Sequence, residues 1–128
     1  MYFIYVSSDM ASIDCLEEIL FGLDHKKFLL SVKDGFDLIQ FLEGVKAGEA
    51  YPDLIIFPME MARLNGRELL VLLKSDDIYC LIPVIMFLSE KEMEEEMNFR
   101  KLGAETIPTP HIHGDWINAA QKMCTLCN

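Results

Sequence analysis

Two pairs of side chains near the end of the chain are of types that can bind a metal or exchange electrons. Cys124 and Cys127 have the CxxC spacing, and His111 and His113 precede them. The pattern after His113 predicts a helix, in which roughly ten residues at about 1.5 Å each separate the pairs by about 15 Å. Zinc bonds are only about 2.0–2.3 Å long, so the four residues do not form one site. We expect no metal or redox role for these cysteines, and we expect the two histidines and His25 in surface loops.

The stretch from Pro52 to Leu70, PDLIIFPMEMARLNGRELL, has the organisation of a binding loop. An apolar run, Leu54 to Phe57, ends at Pro58, and a loop closes on Asn65-Gly66 before a new apolar period begins. This order predicts a strand, a loop and a helix. In parallel α/β folds the loops that leave the carboxyl ends of strands bind ligands. Any functional site is therefore expected beside this loop.

The composition is that of one packed domain, residues 1–128, with 52% hydrophobic and 25% charged residues. The longest uncharged apolar run, Leu81 to Leu88, is too short to span a bilayer. The first residues, MYFIYVSSD, lack the positive region of a signal peptide, so the cytoplasm is the expected compartment. Four scattered cysteines are too few for a disulfide-stapled secreted domain.

The net charge of −10 argues against nucleic acid as a partner. Nucleic acid is bound by clustered lysine and arginine, which release counterions from the phosphates. This chain has 11 such residues, and they are dispersed. The acidity instead favours solubility or a basic partner surface.

Four apolar runs predict the strands Tyr2–Val6, Phe28–Val32, Leu54–Phe57 and Val84–Leu88. A short fifth strand is predicted after Gly103, at about Glu105–Pro108. A helix is predicted after each strand. The first is capped by Ser8 or Asp9, the second ends near Gly48, and the third is interrupted at Ser75. The fourth runs from about Glu90 to Leu102, and the last begins near Gly114. Each helix is expected to bury one apolar face. From the first helix to the fifth, the expected buried residues are Ile13, Leu16, Leu20 and Leu23; Leu38, Phe41, Leu42 and Val45; Leu69, Leu72 and Leu73; Met93, Met97, Phe99 and Leu102; and Trp116, Ile117, Ala120 and Cys124.

The strands read as continuous apolar runs and alternate with helices, which indicates a parallel sheet covered on both faces. Right-handed crossovers then favour strand order 2-1-3-4-5. We therefore predict an α/β fold, the flavodoxin-like doubly wound (βα)5 three-layer sandwich.

No sequence motif supports an enzyme: the chain holds no Gly-rich phosphate loop, no serine nucleophile elbow and no metal-binding helix motif. We expect no catalytic residues and no cofactor. Eight methionines are many for this length, and Met93, Met97 and Met123 are expected to fill gaps in the core. A methionine-lined docking face on helix four is the alternative.

Four segments of the chain resemble bacterial response-regulator receiver domains of the chemotaxis type. They are the first strand with its turn, DGFDLI at 34 to 39, the stretch PDLIIFPMEMARLNGREL, and IPVIMFLSE through KLGAETIPTP at 82 to 110. The resemblance covers almost the whole chain. It implies the doubly wound fold and a role in phosphorelay signalling.

The resemblance also implies where the phosphorylation chemistry of that family would lie. An acidic pair that holds Mg²⁺ falls on Ser7 and Ser8, and the phosphoacceptor aspartate falls on Pro58. The hydroxyl residue falls on Leu88, next to Ser89, and the lysine falls on Thr109. All of these positions lack the group that the chemistry uses to attach a phosphoryl group and neutralise its charge.

Two further carboxylates are expected near this pocket, Asp9 and Glu60. A weak Mg²⁺ site or a noncanonical phospho-switch on them is an alternative, but a helix cap and a solvated loop residue are the simpler interpretations. The family often has a cis Lys-Pro bond where this chain has Thr109-Pro110, so a cis bond is predicted here.

The resulting prediction is a degenerate pseudo-receiver that binds a protein without being phosphorylated. The expected partner is a histidine kinase, an output protein or another receiver. It is expected to contact helix four, strand five and helix five, the face that the resemblance implies. A small-ligand or flavin-binding domain on the same sheet is a further alternative, because fold alone does not fix function.

Overall fold

A computed structural model of the protein describes residues 2–23, 26–61 and 63–127. Its elements are β1 (Tyr2–Val6), α1 (Met10–Leu23), β2 (Phe28–Val32), α2 (Gly35–Glu43), β3 (Leu54–Pro58), α3 (Gly66–Lys74), β4 (Val84–Leu88), α4 (Glu96–Lys101), β5 (Glu105–Pro108) and α5 (His113–Leu126). Short 3-10 turns lie at Tyr79–Leu81 and Glu92–Glu95. The prediction for His25 lies outside the described residues.

All the strand pairs are parallel, and their order is β2-β1-β3-β4-β5. The predicted sheet and strand order are therefore confirmed. The three central strands are buried on both faces, which explains why their sequences are continuous apolar runs. In the described residues no helix is long and apolar enough to cross a membrane.

Each face of the sheet carries its own core. One core contains Leu38 of α2, Leu69 of α3 and Phe99 of α4. The other contains Leu16 of α1 and Trp116 of α5. The sheet thus lies between a layer of three helices and a layer of two, which is the predicted three-layer arrangement.

Two helices differ from their predicted extents. Helix α2 ends at Glu43, because the regular pattern stops after the bond from the Gly44 N–H to the Gln40 carbonyl, and the next N–H, that of Val45, bonds to the Leu42 carbonyl in a tighter turn. Gly48 lies beyond the helix with a φ of 90°. The segment predicted as one helix from Glu90 begins as the 3-10 turn, and α4 covers only six residues. Its crowded glutamates repel one another, which weakens a long regular helix.

Several predicted faces are also corrected. Leu23, Leu72, Met97 and Leu102 are exposed instead of buried. Met93, Ile117 and Cys124 are only half-buried, as are Phe41 and Val45, and α5 instead buries Ala119 and Met123. Val45 and Leu102 lie beyond the ends of α2 and α4, so the helical spacing that predicted their burial does not extend to them.

Candidate functional site

The candidate site lies where the carboxyl ends of the parallel strands meet. The register pairs Val6 with Val32, Pro58 with Phe87, and Leu88 with Pro108, so the strands end close to one level. Backbone bonds extend this alignment beyond the strands. The Ser7 N–H lies 2.9 Å from the Val32 carbonyl oxygen, and the Thr109 N–H lies 2.9 Å from that of Leu88.

The side chains that follow β1 form the hydrogen bonds that start helix α1. Ser7 is half-buried, and its hydroxyl accepts a bond from the Asp9 N–H at 3.1 Å. Ser8 and Asp9 are exposed. The Asp9 carboxylate accepts the Ala11 N–H at 3.1 Å and the Ser12 hydroxyl at 2.7 Å, which makes it the helix cap. These bonds, that from the Ser12 side chain above all, lower the pKa of Asp9.

The end of β3 approaches helix α3 very closely at Pro58. The Gly66 N–H bonds to the Met59 carbonyl oxygen at 2.7 Å, and the Gly66 α-carbon faces the Pro58 carbonyl. Pro58 is half-buried and has no polar side-chain atom. Glu60 is exposed in the loop that follows.

Leu88 and Ser89 at the end of β4 have different roles. Leu88 is fully buried in the core beneath α2, α3 and α4. The Ser89 hydroxyl accepts the Glu92 N–H at 3.3 Å, and the Glu92 carboxylate accepts the Ser89 N–H at 2.8 Å. This reciprocal pair starts the 3-10 turn in the manner of a capping box.

The end of β5 corrects one prediction. The Thr109–Pro110 peptide bond is trans, not cis. Thr109 continues the ladder with β4 in extended geometry, and without a tight turn the ordinary trans preference of about 0.5–1 kcal/mol decides the isomer. Thr109 is half-buried and Pro110 is buried.

A cavity of about 580 Å³ opens beside these strand ends, between β5, α5 and the segment before α4. Leu88 and Thr109 of the candidate site line it, together with Glu90, Met93, Thr106, Ile107, Pro108, His111, Asp115, Asn118, Ala119 and Lys122. The strand ends therefore border a surface groove on the side of α4, β5 and α5.

Thr106 joins this groove to α4. Its side chain is 3% exposed, and its hydroxyl donates to the Glu96 carboxylate at 3.0 Å. Glu96 also pairs with Arg100 at 2.9 Å. The fifth strand thus has a small, buried hydroxyl residue that is hydrogen-bonded to α4.

Of the histidines and cysteines considered as metal ligands, His111 lines the groove beside Thr109, and the two cysteines lie at the far end of α5. His111 and His113 are exposed near the start of α5, whereas Cys124 and Cys127 lie in its last turns. Within residues 2–23, 26–61 and 63–127, no three His, Cys, Asp or Glu side chains are grouped closely enough to hold a metal ion.

Sequence reasoning missed one charged cluster, which joins the loop after β3 to the start of α2. Asp34 is buried, and its carboxylate accepts the Asp37 N–H at 3.0 Å and the Arg63 Nε at 3.1 Å. The Arg63 guanidinium lies 5.0 Å from the Phe36 ring centre. The turn Asp34-Gly35 was visible in the sequence, but no local pattern pairs it with an arginine 29 positions away.

No protein-family model matches the sequence, and no curated protein matches it. Solved structures do share its fold. The phosphorylated cyanobacterial phytochrome response regulator RcpA superposes with a TM-score of 0.83 at 21% identity, over 98% of this chain and 92% of its own. The manganese-bound form of another response regulator gives 0.80 at 19% identity, over 95% and 90%. A chemotaxis response regulator of Vibrio cholerae gives 0.75 at 17% identity, over 94% and 96%.

These superpositions confirm the predicted fold class. They cover nearly the whole of each chain, and the strand order is that of the flavodoxin-like doubly wound sheet.

Proposed function

We propose that this chain is a receiver-like domain of two-component signal transduction that has lost aspartyl phosphorylation and acts by binding a protein partner. Its likeness in fold to response regulators supports the first part of the proposal. The observation that carries the second part is Pro58 at the carboxyl end of β3. Phosphoryl transfer to a side chain needs a nucleophilic oxygen, and the proline ring has none.

The neighbouring residues do not replace the missing groups. Mg²⁺ is held by carboxylate oxygens and waters, whereas Ser7 and Ser8 offer neutral hydroxyls and the Asp9 carboxylate already accepts two cap bonds. This donor set does not fit a resident Mg²⁺ ion. Leu88 has no hydroxyl and Thr109 no ammonium group, so a transferred phosphoryl group would lack its charge partners as well.

A phosphorylation-driven switch also lacks its moving part in this proposal. Thr106 is small, buried and bonded to Glu96 on α4, so rotation of this side chain would change little of the outer surface. The β5–α4 contact is instead held in one arrangement. A module with one fixed surface is suited to constitutive docking.

The surface proposed for docking is formed by α4, β5 and α5. It includes the 580 Å³ groove and Met97 of α4, which is 65% exposed. Flexible methionine side chains adapt to a partner surface at little cost. A histidine kinase, an output protein or a second receiver is the proposed partner, and no part of the proposal involves nucleic acid.

The test is incubation with a small-molecule phosphodonor and Mg²⁺, followed by intact-mass spectrometry, with an intact receiver as positive control. We expect no added phosphoryl mass and no change in the amide NMR spectrum with beryllofluoride. A labile adduct that disappears in Asp9→Asn or Glu60→Gln would overturn the proposal in favour of the noncanonical phospho-switch. A yellow protein with bound nucleotide would favour the flavin alternative.

The docking surface is tested separately with Met97→Lys, measured against purified histidine kinases and receivers by titration calorimetry. Because Met97 is exposed, the substitution should leave stability unchanged and weaken binding by about tenfold, the loss of one well-placed apolar contact. Leu81→Lys, at another exposed apolar position, is the matched control. Equal binding by Met97→Lys and the unaltered protein would place the partner elsewhere.

A further inference from the structure

We propose that the open edge of β2 is a docking strand for an extended segment of a partner protein in which apolar and basic residues alternate. β2 stands at one end of the strand order β2-β1-β3-β4-β5. Its pairing with β1 runs from Phe28 to Val32, and its other side faces away from the sheet. An edge of this kind can accept another strand by backbone hydrogen bonds.

The two edges of the sheet are protected very differently. Edge strands are usually protected against pairing with another strand by charged residues, by proline or by an element that covers them. At the opposite edge, β5 contains Glu105 and Pro108, and the Lys122 ammonium lies 3.5 Å from the Thr106 carbonyl oxygen and 3.9 Å from the Glu105 carboxylate. β2, with the sequence FLLSV, contains neither a charged residue nor proline. Within the described residues, charge and proline therefore protect the β5 strand and are absent from the β2 strand.

The β2 edge also displays apolar side chains. Phe28 is 65% exposed and Leu30 is 42% exposed, whereas Leu29 between them points into the core with α1 and α5. Alternate residues of a strand point to opposite faces, so Phe28 and Leu30 share the other face of the edge. A partner strand beside β2 would cover both of them.

A cavity of about 760 Å³ runs along this edge and has an acidic wall. Asp14, Glu17, Glu18 and Phe21 line it from α1, at the spacing that places residues on one side of a helix. The lysine in the lining is Lys27, which is buried, with its ammonium 3.5 Å from the Cys124 carbonyl oxygen and 5.6 Å from the Phe3 ring centre. The Lys27 ammonium therefore lies against these buried groups, and the exposed Asp14, Glu17 and Glu18 supply the acidic lining of the groove.

These features select the chemistry of the occupant. In an extended segment one set of alternate side chains would meet Phe28 and Leu30, and the other set would lie towards the α1 carboxylates. Lysine or arginine in the second set complements the acidic wall. A second copy of this chain is a poorer occupant, because each copy carries a net charge of −10 and would bring repulsion to the contact.

The experiment uses a short synthetic peptide in which valine and lysine alternate, titrated into the full chain and followed by amide NMR. Binding should shift the amide signals of residues 28–32 and slow their hydrogen exchange, and it should weaken with added salt. The control peptide has proline in place of each valine, which keeps the charge but removes the backbone N–H donors of those residues. Equal binding of both peptides would overturn the proposal, since it would reflect general attraction to an acidic protein.

Two variants test the two parts of the groove. Leu30→Lys places a charge on the strand and Glu18→Lys reverses one on the wall, and each should weaken peptide binding by about tenfold. Leu81→Lys and Glu94→Lys, at exposed positions in the parts of the chain around β4, are the matched controls and should bind as the unaltered protein does. Unchanged binding by Leu30→Lys, or self-association through β2 without peptide binding, would overturn the proposal.

Discussion

At the scale of single residues, Asp34 shows how one buried carboxylate fastens two segments. It caps α2 through the Asp37 N–H and pairs with the Arg63 guanidinium from the loop after β3. Arg63 has a φ of 68°, a left-handed conformation that is uncommon for a residue with a side chain. The hydrogen bond from Arg63, followed by that from Asp37, lowers the pKa of Asp34, and the same bond raises the pKa of Arg63.

We predict that Asp34→Asn reduces the loss of stability in acid. The pKa of Asp34 in the folded protein lies below its ordinary value of 3.8, so the carboxylate stabilises the fold above that pH. This contribution disappears as the pH falls through the folded-state pKa. Asparagine keeps the capping oxygen but has no charge to lose. Urea unfolding across the acid range measures the effect.

Arg63→Met provides the control for this pair. It should lower stability near neutral pH and remove the part of the acid dependence that comes from the Arg63 bond, while the Asp37 N–H bond to Asp34 keeps the rest. The double variant Asp34→Asn, Arg63→Met should then change little further, since both substitutions delete one interaction. Additive effects of the two substitutions would show that the pair does not act as a unit.

Gly66 is the second residue whose type is dictated by its surroundings. A β-carbon there would lie 2.6 Å from the Pro58 carbonyl oxygen, 2.8 Å from the Met59 α-carbon and 3.0 Å from the Met86 methyl group. We predict that Gly66→Ala costs about 1–3 kcal/mol of unfolding free energy, the usual cost of overpacking. Gly22→Ala in α1, where nothing lies within 4 Å, should instead stabilise by about 0.5–1 kcal/mol. Denaturant titration compares them, and equal effects would contradict the prediction.

At the scale of elements, α4 depends on its neighbours. A helix of six residues is far too short to form alone. Phe99 anchors it in the core, and the Arg67 guanidinium of α3 lies 5.1 Å from that ring and pairs with Glu95. The bond between Thr106 and Glu96 attaches it to β5. Tertiary contacts, more than helix propensity, hold this element.

We predict that Thr106→Val loosens α4 while leaving the sheet intact. The substitution keeps the shape of the side chain but removes a buried hydrogen bond, which should cost about 0.5–1.5 kcal/mol. Hydrogen exchange should become faster in α4 than in β4. The control is Thr125→Val on α5, whose exposed hydroxyl donates to the Gln121 carbonyl oxygen at 3.0 Å and should matter little. Unchanged exchange in α4 would contradict this account.

At the scale of the whole molecule, the apolar pattern was enough to predict the architecture. The runs Leu54–Phe57 and Val84–Leu88 are short and continuously apolar, which favours buried parallel strands, and chirality then limits the strand order. The positions that the resemblance gave for the pocket also lie at one end of the sheet, because the carboxyl ends of parallel strands meet there. These features follow from patterns within a few residues of the chain.

What the sequence did not predict depends on contacts between distant segments. The pairing of Asp34 with Arg63 and the exposure of Leu72 are decided by how helices sit on the sheet. The same holds for two lysines: Lys27 is buried, and Lys74, whose pKa burial lowers, donates to the Cys80 and Ile82 carbonyls at 3.2 Å. The long lysine side chain can reach such carbonyls from many positions, so its sequence context carries no signal.

The net charge of −10 supports one prediction about the whole molecule. Repulsion among like charges opposes the compact state, and salt screens it. We therefore expect the urea midpoint to rise when sodium chloride is added. The double variant Glu90→Gln, Glu94→Gln, in the acidic segment before α4, should be less responsive to salt. A midpoint that falls with salt would show that attractive ion pairs dominate.

The position of Trp116 decides which part of the protein tryptophan fluorescence reports on during unfolding. It is the single tryptophan of the chain, and its ring lies 6.3 Å from that of Tyr5 and 5.7 Å from that of Phe87, all within the layer between the sheet and α1 and α5. Its emission therefore reports on that layer and is blind to the side where Phe99 is packed. Comparing the fluorescence transition with far-ultraviolet circular dichroism asks whether the two halves of the interior melt together.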